Sequence, residues 1–232
     1  MTAETRPVVL ITGATRGIGR AVADALAADY ELLIGGRDES AVRAVCAALP
    51  QAKPFIADLT DASSVGAAVD SLQDVPALAG VVHSAGVLGS GAVADLGRDD
   101  WRHTLEVNVV AVADLTRRLL PKLRTAQGTV VIVNSGSGLR SGAQGSLYSA
   151  SKFAVRAFAD GLRQEERDNG VRVSTVYPGR VATDMQRELR DFENGTYDEA
   201  AYLRPESVAS AVRFVLTAPA EASVEDLSIR PR

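Results

Sequence analysis

The sequence predicts an α/β fold, a doubly wound parallel sheet of about seven strands with helices on both faces, forming one domain over residues 1–232. Three observations lead there. Short apolar runs bounded by turns alternate along the chain with stretches of helical period, the pattern of repeated βαβ units. Several of these runs are apolar throughout rather than at every second residue, as strands buried on both faces must be. The first strand passes directly into a glycine loop and a helix, an arrangement that aims backbone N–H groups at a phosphate. Apolar residues make up 46% of the chain and aromatics only 5%, so the core must be built from Ala, Val, Leu and Ile.

Pro7-Val-Val-Leu-Ile-Thr12 is the first strand, and Gly13-Ala-Thr-Arg-Gly-Ile-Gly19 leads into an Ala-rich helix reaching Ala28. The spacing Gly-x-x-x-Gly-x-Gly differs from the general dinucleotide fingerprint, but its position between strand and helix makes Gly13, Gly17 and Gly19 a phosphate cradle. The second strand, Glu31–Gly36, runs out in Arg37. An acid at this point accepts from the ribose 2′-hydroxyl of NAD, whereas a 2′-phosphate calls for arginine. Arg16 and Arg37, two guanidinium groups converging on one phosphate, favour NADP(H) over NAD(H). Asp38 reads as a helix N-cap, or, turned inward, as an acceptor for the 2′-hydroxyl.

A helix over Glu39–Leu49 and a strand over Lys53–Ala57 follow, then Asp58, read as an adenine-edge contact at a helix start. A helix over Ser63–Leu72 precedes the strand Leu78–His83, which Ser84-Ala85-Gly86 closes with small residues, as where backbone approaches a ligand. A long helix from about Trp101 to Leu123 carries Asn108 among valines, and a buried amide there needs partners. Strand Gly128–Asn134 ends at Ser135, beyond the carboxyl end of the strand where ligands of open α/β sheets bind. A serine there also serves as a cap or turn former. The Gly- and Ser-rich stretch 137–145 rims the expected substrate cleft. Strand Val171–Tyr177 ends in Pro178-Gly179, and residues 184–204, polar and without clear period, read as a substrate-cleft loop, a lid or a disordered segment. Pro205 opens the last helix and Asp226–Arg230 forms a short final strand.

The stretch Tyr148-Ser-Ala-Ser-Lys152 opens a helix, and residues four apart share a face, so phenol and ammonium point into one cleft. A free phenol titrates near 10, too high for proton exchange at neutral pH. A cation beside it is expected to lower that value.

The net charge of −4 argues against a nucleic-acid or anionic-membrane surface. No apolar run approaches a membrane span, and the start lacks the apolar region of a signal peptide. Cys46 is the sole cysteine, so no intrachain disulfide can form and a cytoplasmic location is expected. With His83 and His103 it makes no metal-ligand cluster, so no metal is expected.

Together, Thr12-Gly-x-x-x-Gly-Ile-Gly19, His83-Ser-Ala-Gly86, Asn108, Ser135, Tyr148-x-x-x-Lys152 and Pro178-Gly179 make the chain resemble the short-chain dehydrogenases/reductases over nearly its whole length. The family's usual Asn-Asn-Ala-Gly stands here as His83-Ser-Ala-Gly86. The resemblance implies a Rossmann sheet, a nicotinamide cofactor, and a homodimer or homotetramer. It implies catalytic roles for Asn108, Ser135, Tyr148 and Lys152, with Tyr148 as general acid/base, Lys152 lowering its pKa, and Asn108 holding a relay water. It places Thr15, Ile18, Leu59, Pro178, Gly179, Val181 and Thr183 along the cofactor, Thr183 at the carboxamide. The ending, Glu225-Asp-Leu-Ser-Ile-Arg-Pro-Arg232, resembles NADP-dependent reductases of small carbonyls or hydroxy acids. The function implied is hydride transfer between NADP(H) and a small carbonyl or secondary alcohol. The alternative is a catalytically silent NADP(H)-sensing or interaction protein, since fold does not fix function.

Overall fold

A computed structural model describes residues 6–232. The N-terminal stretch read for a signal peptide lies, up to residue 5, outside the described residues. The seven strands are β1 (Val8–Ile11), β2 (Glu31–Gly36), β3 (Ala52–Ile56), β4 (Gly80–His83), β5 (Thr129–Val133), β6 (Arg172–Pro178) and β7 (Asp226–Ile229). All pair in parallel, in the order β3-β2-β1-β4-β5-β6-β7. The order reverses between β1 and β4, and at such a switch point the connections leave on opposite faces and open a crevice beyond the strand ends.

The strands divide their side chains between two cores. Val9, Ile11, Leu32, Ile34, Val82, Val131 and Val133 face one side, packed with Ala21, Val22 and Leu26 of α1 (Gly17–Leu26) and with Val208, Val212 and Val215 of the C-terminal helix. Leu10, Leu33, Val81, Val130 and Ile132 face the other, against Val65, Leu115, Leu119 and Val155. The strict alternation within each strand is the two-residue period of the pleat. Because both faces are covered, both sets are apolar, which is why the strands read as continuous apolar runs.

Helices α2 (Glu39–Ala48) and α3 (Ala62–Asp70) begin at aspartate caps, Asp38 accepting from the N–H of Ala41 at 3.1 Å and Asp61 from that of Ser63 at 2.8 Å. The predicted helix over Trp101–Leu123 departs from expectation: α4 (Arg98–Leu105) and α5 (Ala111–Ala126) are joined by a π-turn over Glu106–Val110, with Asn108 at its centre. A π-turn inserts one residue into the helical register and often marks a functional site. Residues 184–204 also differ from the structureless loop expected, because α7 occupies Asp184–Phe192. Thr183 caps it, its Oγ1 accepting from the N–H of Gln186, and Met185, Leu189 and Phe192 recur at helical spacing among charges. α6 (Ser146–Glu165) and α8 (Pro205–Leu216) stand where predicted. No helix among the described residues is long and apolar enough to cross a membrane, and among those residues no His, Cys, Asp or Glu cluster could hold a metal ion.

Candidate active site

A cleft of about 530 Å³ opens at the carboxyl ends of β1, β2, β3 and β4. Its walls include Gly13, Thr15, Arg16, Gly17, Ile18, Gly19, Arg37, Asp58, Leu59, Ser84, Ala85, Gly86 and Thr183, thirteen of the residues predicted to hold the cofactor. The floor admits nothing but glycine. Gly13 sits at φ +63, and a Cβ there would lie 2.9 Å from the Cα of Ala85; a Cβ on Gly19 would lie 2.3 Å from the carbonyl oxygen of Gly13. The loop can therefore bring its backbone against a ligand, with the α1 N-terminus beneath it, and these residues fit a dinucleotide pyrophosphate. Thr12, buried at the end of β1, ties this loop to the one after β4 by accepting from the N–H groups of Ser84 and Ala85, each at 3.1 Å.

The four catalytic candidates stand beside the cleft rather than in its lining. Lys152 is buried, its ammonium donating to the carbonyl of Val133 at 3.3 Å and lying 5.6 Å from the centroid of the Tyr148 ring. Gly86 joins the two regions: it lines the cleft, and a Cβ there would lie 3.2 Å from Asn108 Oδ1 and 3.9 Å from Lys152 Nζ. Ser135 caps a short 3₁₀ turn, its hydroxyl accepting from the N–H of Ser137 at 3.1 Å.

Electrostatics at this pair run against expectation. Burial pushes the Tyr148 phenol up to about 12, and only a hydrogen bond with Ser135 pulls it down. Burial likewise pulls Lys152 down to about 8. Lys152 was expected to draw the phenol toward neutrality, but desolvation dominates both groups, and each is driven toward its uncharged form. Tyr148 is thus fully protonated at neutral pH, poised as a donor, and Lys152 titrates close to it.

Asn108 is also fully engaged. Its Oδ1 accepts from the N–H of Val87 at 2.9 Å, and its Nδ2 donates to the carbonyl of Val87 at 3.0 Å and to Ser151 Oγ at 3.1 Å. This clamps the loop after β4 against α6. Of the remaining predicted cofactor residues, Pro178 ends β6, Gly179 donates to the carbonyl of Ile229, and Val181 is buried in an isolated bridge to Leu203; none lines the cleft.

The family model described as short chain dehydrogenase matches residues 7–194. The chain belongs to the short-chain dehydrogenase/reductase family. It is 30% identical to dehydrogenase/reductase SDR family member 11 of Mus musculus, over 97% of this chain and 94% of that protein. A short-chain type dehydrogenase/reductase of Sinorhizobium fredii is 32% identical over 97% of this chain and 91% of its own length. Among solved structures, alcohol dehydrogenase of the archaeon Thermococcus sibiricus, complexed with 5-hydroxy-NADP, superposes with a TM-score of 0.86 at 28% identity, covering 97% of each chain. A variant actinorhodin polyketide ketoreductase with NADPH gives 0.90 at 25% identity, covering 100% of this chain and 98% of that one. Membership makes the protein an oxidoreductase with a pyridine nucleotide cofactor that acts on alcohol or carbonyl groups of small molecules.

Within this short-chain dehydrogenase/reductase, Arg16 and Arg37 both line the cleft, and Arg16 meets a partner that its place in the chain does not suggest. Arg16 Nη1 pairs with Asp184 Oδ2 of α7 at 2.9 Å. Arg37 stays at the β2 end, close enough to Asp58 to help hold that carboxyl below its usual range, after the larger effect of bonds from Thr60. Asp38 is committed to its cap. His83, where the family pattern usually has Asn, is buried and neutral, pulled down to about 4 by burial. It meets Thr116 Oγ1 at 2.9 Å; that hydroxyl gives its proton to the carbonyl of Val112, so the imidazole Nε2–H is the donor.

Sequence reasoning missed Asn134. This buried residue at the end of β5 donates to the Lys152 carbonyl at 3.1 Å and accepts from the N–H of Ser135 at 2.8 Å, so one amide positions two catalytic candidates. The signal was a polar residue closing an all-apolar strand. Met185 and Glu188 of α7 also line the cleft, as expected of the stretch 184–204. Arg187 of α7 stacks 3.9 Å above the Tyr197 ring and pairs with Glu199, so its charge is already partnered.

Proposed function

We propose that the protein is an NADP(H)-dependent reductase of a small carbonyl compound, reversible to the secondary alcohol, working in the cytoplasm as a homodimer or homotetramer. The observation that carries this reading is the Ser135–Tyr148–Lys152 group, Lys152 buried and the two hydroxyl residues half-buried, beside a glycine-floored cleft. NADP(H), when bound, supplies or accepts the hydride. Preference for NADP(H) over NAD(H) is supported by Arg37 in the cleft wall and by Asp38 being spent on a helix cap. The NADP(H) ligands of two structural neighbours support the same reading.

In the reducing direction Ser135 donates to the substrate oxygen as negative charge gathers on it, and Tyr148 gives that oxygen its proton. An alkoxide is far more basic than a phenolate, so a phenol held up near 12 by burial still transfers readily. Lys152 stabilises the phenolate that remains and binds the nicotinamide ribose. These interactions strengthen only as charge develops, which is where they accelerate reaction. Thr183 binds the carboxamide. Asn108, its amide bonded to Val87 and Ser151, holds the loop 84–87 in place and, on the family resemblance, the water that relays protons from Lys152.

The test is consumption of NADPH, with NADH in parallel, over a panel of aldehydes, ketones, keto esters and quinones. Turnover that prefers NADPH is expected with at least one class. Tight NADPH binding with no turnover on any class, together with a ligand-dependent protein partner, would replace this reading with that of a silent sensor.

A further inference from the structure

Arg16 and Asp184 lie 168 positions apart in the chain, yet both line the cofactor cleft and meet there. Just below them Gly17 lies against Thr183, where a Cβ would come within 3.5 Å of the threonine methyl. The glycine loop and the start of α7 therefore touch at this point, and the ion pair is the one joining those two segments among the described residues. The α7 face toward the cleft is acidic, with Glu188 one turn beyond Asp184.

We propose that Asp184 is a specificity-determining residue that holds Arg16 in reserve and competes for it with the 2′-phosphate of NADP(H). This rests on the NADP(H) preference proposed above. The pairing is a single N–H to one carboxylate oxygen, with the side chains 73% and 60% exposed, the kind of pair that is individually weak. A phosphate monoester offers more charge and a bidentate match to guanidinium, so it takes Arg16 from Asp184. NAD(H) has no group to claim Arg16 and leaves the pair intact. Asp184 thus lowers affinity for NADP(H) alone, narrowing the discrimination that Arg16 and Arg37 provide. Removing the carboxylate should sharpen it.

The experiment is direct titration of NADPH and NADH into wild type, Asp184→Asn, Arg16→Ala and the double variant. Asp184→Asn is expected to tighten NADPH by about two- to five-fold and leave NADH unchanged. In the Arg16→Ala background the same substitution should have no NADPH-selective effect. Equal tightening of both cofactors would mean that Asp184 acts only as a general negative charge, and weaker NADPH binding would mean that it supports Arg16 on the phosphate; either result overturns the proposal. Equal wild-type affinities, with Arg16→Ala moving neither cofactor, would overturn the NADP(H) reading and this inference with it. A clear wild-type preference with a silent Asp184→Asn overturns this inference alone.

Discussion

The catalytic wall that stands beside the cleft and the exposed wall that lines it are built on opposite plans. On the β5–α6 side Asn134 and Lys152 are buried and bonded to backbone, and Ser135 and Tyr148 stand on that frame. On the other side the polar groups that face the cofactor, Arg16 and Asp184, are mostly exposed and held by one weak pair. Chemistry needs atoms held within fractions of an ångström, and burial supplies that at the expense of charged forms. Choosing a cofactor needs a side chain free to change partners, and exposure supplies that at little electrostatic cost.

Substitutions on each wall can break the contrast, and the largest effect belongs to Lys152. Its ammonium is charged against a desolvation penalty that shifts it from 10.5 to about 8, equivalent to about 3 kcal/mol on the charged form. The penalty is complete below pH 8, where folded and unfolded states are both protonated. It is relieved as pH rises from 8 to 10.5, where the folded lysine has released its proton and the unfolded one has not. Lys152→Met should abolish turnover yet be more stable than wild type at pH 7, by about 1–3 kcal/mol in denaturant unfolding. That advantage should shrink as pH approaches 10. A variant less stable than wild type at pH 7 would show that Lys152 is not under strain.

Asn134→Ala comes next. It strands the Ser135 N–H and takes from the Lys152 carbonyl its bond beyond the helix, so destabilisation of about 1–3 kcal/mol is expected, with kcat falling by at least tenfold and NADPH affinity preserved. Unchanged kcat would mean that Ser135 and Lys152 hold their places without it. The smallest effect is on the exposed wall: Arg37→Ala should weaken NADPH by about tenfold, leaving NADH affinity and thermal stability as they were. Equal weakening of both cofactors would place Arg37 away from the 2′-phosphate.

The contrast also explains what could be read in the chain beforehand. The strands and glycine loop were legible because apolar runs and the Gly13, Gly17 and Gly19 spacing are local signals. The helix pair Tyr148 and Lys152 was legible for the same reason. The effect of burial on their titration was not, because desolvation depends on everything packed around them. The Arg16–Asp184 pair is not legible in the sequence, because its members stand 168 positions apart. α7 is hard to read because Met185, Leu189 and Phe192 stand among six polar residues in a nine-residue helix, although Thr183 and Gln186 carry the capping signal three residues apart.

On our proposal, proton transfer at the catalytic wall rests on the Tyr148 hydroxyl and cofactor affinity does not. Tyr148→Phe tests it most directly, removing one oxygen from that wall and nothing from the cleft lining. NADPH titration and steady-state turnover should be measured on the same preparation, with a carbonyl substrate found for the wild type. We expect NADPH affinity within about twofold of wild type and turnover reduced by about 10²- to 10⁴-fold. Turnover within a few-fold of wild type would contradict the account, and so would a loss of NADPH affinity large enough to explain the missing activity.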